Sequence, residues 1–119
     1  MKKILIVSAT KKTNYTLAKK LKNLIKTDIE ITLISLEDYI LPIYTENVFK
    51  HKKETYKKTV VSLTNYFVQS DGIIICGPEY NGSTPPIINN SIAWISSSTN
   101  YWRDAFNNKI ALIGTSSGG

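Results

Sequence analysis

Four short apolar runs punctuate the chain, and each predicts a strand of a buried sheet. Residues 4–7 (ILIV) and 72–76 (GIIIC) are continuous runs, typical of strands that helices cover on both faces. Apolar and polar positions alternate in residues 29–35 (IEITLIS), which predicts an edge strand with one less buried side. Residues 109–114 (KIALIG) predict a fourth short strand.

Three amphipathic stretches lie between these runs, and each predicts a helix because its apolar residues recur every three or four positions. The apolar stripes are Leu17, Ala18, Leu21, Leu24 and Ile25, then Tyr56, Val60, Leu63 and Phe67, then Ile88, Ile92 and Ile95. We expect the second helix to end near Ser70 and Asp71, and the third to begin at Pro85 or Pro86, since proline suits a first helical turn. Residues 36–49, which include Pro42, predict an irregular connection with one helical turn.

The order of these elements, strand and helix in alternation, predicts a doubly wound α/β domain. Its sheet would be parallel and its crossovers right-handed. In such sheets ligands bind beyond the carboxyl ends of the strands, where the strand order reverses. The loops after the first, third and fourth strands are therefore the candidate functional segments.

The loop after the first strand, residues 8–16 (SATKKTNYT), is rich in hydroxyl groups and leads into a helix N-terminus. It lacks the glycine patterns of dinucleotide and Walker loops. Helix amides and hydroxyl side chains can bind a single phosphate there. An ordinary capped turn explains the same residues, because serine, threonine and asparagine are also common N-caps. The candidate ligands are Ser8, Thr10, Lys11, Asn14 and Thr16.

The loop after the third strand, residues 78–83 (PEYNGS), predicts a stiff rim. Asn81 and Gly82 favour a turn with positive φ, and Pro78 fixes another dihedral. We expect free backbone amides and Tyr80 to line a flat heteroaromatic ring, because a plain turn would not require Pro78, Glu79 and Tyr80. The loop after the fourth strand, GTSSGG, has small residues that let backbone lie against a ligand, although such residues are common in any loop.

Length and composition fit one domain of 119 residues with 42% hydrophobic residues, and a lone cysteine predicts a reducing cytoplasm. The single cysteine, Cys76, cannot form an internal disulfide and is predicted to be a buried, inert thiol. The start MKKILIVSA has too short an apolar run for a secretion signal. No apolar run approaches the roughly 20 residues that a membrane helix needs.

The net charge of +6 is partly concentrated in residues 49–58 (FKHKKETYKK), which hold five lysines and His51. One interpretation is a solvated loop and first helical turn. The other is attraction of an anionic ligand, or weak contact with nucleic acid, which ranks last because no nucleic-acid motif accompanies it. His51 has no partner at metal or catalytic spacing, so no metal site is predicted.

The segment GPEYNGSTPPIINNSIAW resembles a motif of the NAD(P)H-dependent FMN reductase family, which has the flavodoxin-like fold. The matching positions are Pro78, Glu79, Tyr80, Asn81, Gly82, Ser83, Pro85 or Pro86, Asn90 and Trp94. Residues 34–44 (ISLEDYILPIY) resemble the family's segment after the second strand. Residues 109–119 (KIALIGTSSGG) resemble its fourth strand and the Gly-rich loop that follows.

This resemblance implies strand order 2-1-3-4 and FMN at the carboxyl edge of the sheet. The phosphate would lie in the first loop, and the isoalloxazine edge on Pro78, Glu79, Tyr80, Asn81 and Gly82, with Ser116, Ser117 and Gly118 nearby. NAD(P)H would be the co-substrate, passing hydride to the flavin N5 and on to a flavin, quinone or azo acceptor. No catalytic acid, base or nucleophile of the protein is implied.

The sequence departs from the family in its first loop. The family usually has Gly-Ser-x-Arg where this chain has Ser8, Ala9, Thr10 and Lys11. Thr10 can replace the lost hydroxyl, whereas lysine offers a point charge in place of the planar arginine fork. Weaker phosphate binding is expected. Asn89 and Ala93 stand where the family has lysine and aspartate.

The larger departure is length, because the family continues with a helix, a fifth strand and a last helix. Without these, residues 109–114 would be an apolar edge strand with unpaired backbone. We expect a fragment, a homodimer or higher assembly that covers this edge, or a marginally stable domain. A truncated, non-catalytic flavin-binding remnant is the alternative to an active reductase.

Overall fold

A computed structural model describes residues 1–25 and 28–116 of the protein. The strands are β1 (Lys2–Ser8), β2 (Ile29–Ser35), β3 (Gly72–Cys76) and β4 (Ile110–Gly114), and the helices are α1 (Thr13–Leu24), α2 (Glu46–Val68) and α3 (Pro86–Ser98). Two short 3₁₀ turns, Leu36–Asp38 and Trp102–Ala105, lie in the connections.

The strands form one parallel sheet in the order β2-β1-β3-β4. Ile6 at the centre of β1 pairs with Leu33 on one side and Ile74 on the other, and Ile74 pairs in turn with Leu112 of β4. The predicted flavodoxin-like order, with strand one central and strand two at an edge, is therefore confirmed.

Helices cover both faces of the sheet, so the doubly wound prediction is also confirmed. On one face Ile6 and Ile74 pack with Ala18 of α1. On the other face Leu5 packs with Leu63 of α2 and with α3. The alternation of side chains along each parallel strand sends neighbouring residues to opposite faces, which explains why β1 and β3 are apolar throughout.

Helix α2 starts ten residues before the first predicted apolar position, Tyr56. The side chain of Thr45 caps it by accepting a hydrogen bond of 3.0 Å from Val48 N. The expectation that residues 49–58 form a loop and a first turn is therefore wrong, although the single helical turn predicted within residues 36–49 exists as Leu36–Asp38. Exposed lysines hide the early helical turns, where Phe49 packs on the Trp94 ring.

Two predicted stripe residues lie outside the core. Leu24 at the end of α1 is 69% exposed and Ile92 of α3 is 36% exposed. In α3, Trp94 and its neighbour Ile95 are both fully buried. Trp94 is buried where the sequence predicted Ile92, because its indole ring lies between α2 and α3. Tyr56 of α2 contacts this ring.

The segment after the first 3₁₀ turn is held to α3 by two side chains. Tyr44 N donates to Asn90 Oδ1 at 2.8 Å, and Asn90 Nδ2 donates to the carbonyl of Pro42 at 3.0 Å. Trp94 Nε1 donates to the same carbonyl at 2.7 Å. These bonds satisfy backbone groups that belong to no helix or strand, so the motif residues Asn90 and Trp94 have a structural role.

The last strand is attached on one side only. Lys109, just before β4, donates from its ammonium to the carbonyls of Val68 and Ser70 at the end of α2, and burial lowers the pKa of this lysine. Ile110 and Ile113 are nevertheless 84% and 76% exposed. The predicted apolar edge is confirmed, starting at Ile110 instead of Lys109, and no described strand pairs with its outer side.

Among the residues that the structure describes, no helix combines the length and apolar character needed to cross a membrane.

The contacts of α3 lead to a prediction about stability. Replacing Asn90→Ala leaves the N–H of Tyr44 without its acceptor, and we expect the free energy of unfolding to fall by about 2 kcal/mol. Asn89→Ala is the matched control, because Asn89 is exposed and accepts only a long bond of 3.4 Å from Thr84. Its expected change is within about 0.5 kcal/mol. Urea denaturation measures both, and equal losses would contradict the structural role of Asn90.

Candidate functional site

The loops after β1, β3 and β4 leave the sheet side by side. Ala9 N donates to the carbonyl of Cys76 at 2.8 Å, and Gly77 N donates to that of Gly114 at 3.2 Å. These bonds extend the parallel ladder past the strand ends. A Cβ atom at Gly77 would lie 3.0 Å from the Ile88 side chain, so glycine allows α3 to pack closely beneath the loops.

A cleft of about 500 Å³ opens between these loops, at the edge where a doubly wound sheet binds ligands. Six residues predicted from the sequence line it: Thr10, Asn14, Pro78, Glu79, Tyr80 and Ser116. Three others also line it without having been predicted as ligands: Lys12, Thr13 and Glu37. The structure thus brings the three predicted loops together at one site.

The first turn of α1 forms one end of the cleft and has the properties of an anion site. No side chain caps this helix, and its first turn contains no acidic residue. The amides of Tyr15 and Thr16 already donate to the carbonyl of Lys12, while Thr13 and Asn14 before them line the cleft. Uncapped helix amides attract negative charge.

Three residues predicted for the first loop lie outside the cleft lining. Ser8 is fully buried and donates its hydroxyl hydrogen to the carbonyl of Thr10 at 2.6 Å, so it supports the loop from beneath. Thr16 is exposed on α1. Lys11 pairs through its ammonium with Asp38, and this hydrogen bond raises the pKa of Lys11.

The neighbouring Lys12 is therefore the lysine that faces the cleft, while Lys11 is bound to the segment after β2. Lys11 N also donates to Glu37 Oε1 at 2.9 Å, which fixes the first loop against the 3₁₀ turn. Sequence reasoning missed Glu37 because only the loops after β1, β3 and β4 were inspected. The carboxyl ends of all parallel strands lie at the same edge of the sheet, and β2 is one of these strands. Including the segment after β2 on this ground would have made Glu37 a candidate.

The opposite rim of the cleft is a tight turn. Tyr80 and Ser83 exchange two backbone hydrogen bonds of 3.0 Å, and between them Asn81 and Gly82 have φ values of 54° and 77°. The predicted positive φ at both positions is confirmed, with the dihedral sign of a type I′ turn.

The same turn corrects the expectation of free amides at Tyr80, Gly82 and Ser83. The N–H groups of Tyr80 and Ser83 are used within the turn, and Gly82 N donates to Glu79 Oε2 at 2.9 Å. Asn81 and Gly82 lie beside the cleft lining, Gly82 facing an apolar groove of about 350 Å³ toward β4. Glu79 stiffens the rim, while Pro78 and Tyr80 face the cleft.

The loop after β4 reaches the cleft through Ser116. Asn14 Oδ1 accepts a hydrogen bond of 2.9 Å from Ser116 N, and Asn14 Nδ2 donates to the carbonyl of Ser116 at 3.4 Å. The other two residues predicted for this loop, Ser117 and Gly118, lie outside the described residues. Cys76 beneath the loops is fully buried, as predicted, and burial raises the pKa of its thiol.

Comparisons with known proteins find relatives of this chain in sequence and in fold. The chain is 32% identical over 84 residues to a quinone reductase of Escherichia coli (strain K12), which covers 70% of this chain. The structure of the flavoenzyme NAD(P)H:(acceptor) oxidoreductase FerB from Paracoccus denitrificans superposes on the entire chain with a TM-score of 0.77 and 26% identity. An FMN-dependent NADH-azoreductase from Bacillus anthracis, solved with FMN, shares the fold over 98% of this chain and 70% of its own, with a TM-score of 0.68 and 18% identity.

The chain spans 43% of the length of the Escherichia coli protein and 63% of FerB. The family model for NADPH-dependent FMN reductases matches residues 1–119. The chain therefore belongs to the NADPH-dependent FMN reductase family.

Proposed function

We propose that this protein binds FMN in the cleft and acts as an NAD(P)H-dependent reductase. The observation that carries the proposal is the convergence, in one cleft, of an uncapped helix N-terminus and a stiff rim bearing Pro78 and Tyr80. A phosphate fits the first feature and a flat ring fits the second. The cleft volume of about 500 Å³ lies within the range of roughly 300–1,000 Å³ usual for cofactor sites.

The proposed phosphate end consists of the start of α1. Thr13 and Asn14 would donate their amides, Thr10 would donate its hydroxyl, and Lys12 would supply the positive charge. Lys11 was the lysine predicted for this role, but its ammonium is occupied by Asp38. The exposed lysines of α2 add a general attraction for anionic FMN and NAD(P)H.

The proposed ring end consists of residues 78–80 with Ser116 opposite. The turn after them is braced by the carboxylate of Glu79, so the rim needs little ordering when a ring packs against it. When bound there, FMN would supply the reactive chemistry, a hydride transfer from NAD(P)H through the flavin N5 to a flavin, quinone or azo acceptor. The chain itself orients the ring and holds the phosphate, with no protein group assigned to proton transfer.

The wider setting is proposed on two observations. The buried free thiol of Cys76 suits a reducing cytoplasm. The exposed edge of β4 with Ile110 and Ile113 suits a homodimer or larger assembly that covers it. A non-catalytic flavin-binding module is the second candidate function, favoured by a first loop in which Lys11, at the family's arginine position, is paired with Asp38.

The first test is direct binding and turnover. Purified protein mixed with FMN and desalted should stay yellow with one FMN per chain, and should then oxidise NAD(P)H when a quinone is added. FMN should also raise the melting temperature, since a ligand that binds only the folded state stabilises it. A protein that stays colourless in excess FMN would contradict the proposal. Stable FMN binding without NAD(P)H oxidation would select the non-catalytic module.

The second test compares the two neighbouring lysines. We expect Lys12→Met to weaken FMN binding about tenfold, because a charged hydrogen bond to phosphate is lost. Lys11→Met should weaken it no more than about twofold, as expected for an exposed ion pair. Flavin fluorescence titration measures both dissociation constants.

Two controls separate a phosphate contact from general electrostatics. Lys20→Met removes the same charge from an exposed position on α1 and should leave FMN binding within about twofold of the wild type. Riboflavin, which lacks the phosphate, should bind Lys12→Met and the wild type equally. A larger loss in Lys11→Met than in Lys12→Met would refute the assignment of Lys12.

A further inference from the structure

The side chain of Asn14 is almost fully buried, at 3% exposure, although it lies at the second position of α1 at the cleft. Both of its polar atoms bond to the backbone of Ser116, which is 102 positions farther along the chain. Among the described residues, these two bonds are the only side-chain hydrogen bonds between α1 and the loop after β4. It joins the first and last walls of the cleft.

The two bonds differ in quality. The bond of 2.9 Å from Ser116 N to Asn14 Oδ1 has the usual length for an amide donor, whereas the bond of 3.4 Å from Nδ2 to the Ser116 carbonyl is long. The bond accepted by Asn14 Oδ1 is therefore the stronger of the two that hold the Ser116 backbone. Asparagine can make both bonds at once because its amide carries a donor and an acceptor side by side.

Within the described part of the loop after β4, residues 115 and 116, few other contacts hold the backbone. The last ladder bond on this side is the one from Gly77 N to the Gly114 carbonyl, two residues before Ser116. Ile113, one residue earlier, is 76% exposed, so packing contributes little there. Within the described residues, the hydrogen bonds that hold the Ser116 backbone come from Asn14.

We propose that Asn14 is a positioning residue: it ties the loop after β4 to the start of α1 and thereby presents Ser116 to the bound flavin. This rests on the proposed function for the flavin. The link itself, however, joins two groups of the chain and can be tested without flavin. It differs from a role for the Asn14 side chain as a direct phosphate ligand, since that amide is used by the protein's own backbone.

The first experiment examines the link without flavin. Amide hydrogen exchange of Ser116 is measured by NMR in the wild type and in Asn14→Ala and Asn14→Asp, on full-length protein. Asn14→Ala should speed the exchange about five- to tenfold, the contribution expected of one amide hydrogen bond. Asn14→Asp keeps the acceptor oxygen and should retain most of the protection. An unprotected Ser116 amide in the wild type, or unchanged exchange in Asn14→Ala, would overturn the proposal.

The second experiment separates positioning from phosphate binding. If Asn14 positions the loop, Asn14→Ala should weaken FMN and riboflavin by the same factor, about tenfold, so that their affinity ratio stays at the wild-type value. If its side chain binds phosphate, FMN alone should weaken and the ratio should fall, as expected for Lys12→Met. A fallen ratio would therefore refute positioning.

Control measurements keep these outcomes distinct. Circular dichroism and the melting temperature of each variant identify a general folding defect. If Asn14→Ala has such a defect, Asn14→Asp tests the proposal instead, because its retained acceptor oxygen should preserve the protection of the Ser116 amide. If the wild type binds no flavin at all, the proposed function fails. The exchange result still decides whether Asn14 holds the last loop.

Discussion

The parallel register of β1, β3 and β4 is the constraint on which the site depends. Because these strands run in the same direction, their carboxyl ends reach one edge of the sheet together. The hydrogen bonds from Ala9 to Cys76 and from Gly77 to Gly114 continue that alignment into the loops. Residues far apart in sequence, such as Thr10 and Tyr80, then face the same cleft.

Two acidic residues at the cleft have the same structural use. The carboxylate of Glu37 accepts the backbone N–H of Lys11 on one rim, and that of Glu79 accepts the N–H of Gly82 on the other. Each stiffens a loop by satisfying a donor that the turn leaves open. With the ammonium of Lys11 paired to Asp38, the charge balance at the cleft depends on Lys12. The shape of the site and its electrostatics are thus set by the same few contacts.

The sheet and its ligand edge were predictable because buried strands are uniformly apolar and parallel strands share one direction. The early turns of α2 were not predictable, since exposed lysines obscure the apolar period there and Phe49 packs on Trp94 without a regular stripe before Tyr56. Periodicity likewise could not choose between Ile92 and Trp94, whose burial depends on the space between two helices. In the site, residue type predicted Asn14 and Tyr80, which line the cleft, whereas the direction of the Lys11 side chain depended on the carboxylate partner supplied by the segment after β2.

The attachment of β4 has a consequence for dynamics. A strand bonded along one edge and exposed on both faces opens at lower free energy than the buried strands beside it. Ser116 follows β4 by two residues, so one wall of the cleft rests on this exposed strand, while the other walls rest on β1 and β3. Local unfolding of this strand would dismantle the cleft while most of the domain stays folded, and a ligand that contacts Ser116 would suppress that opening.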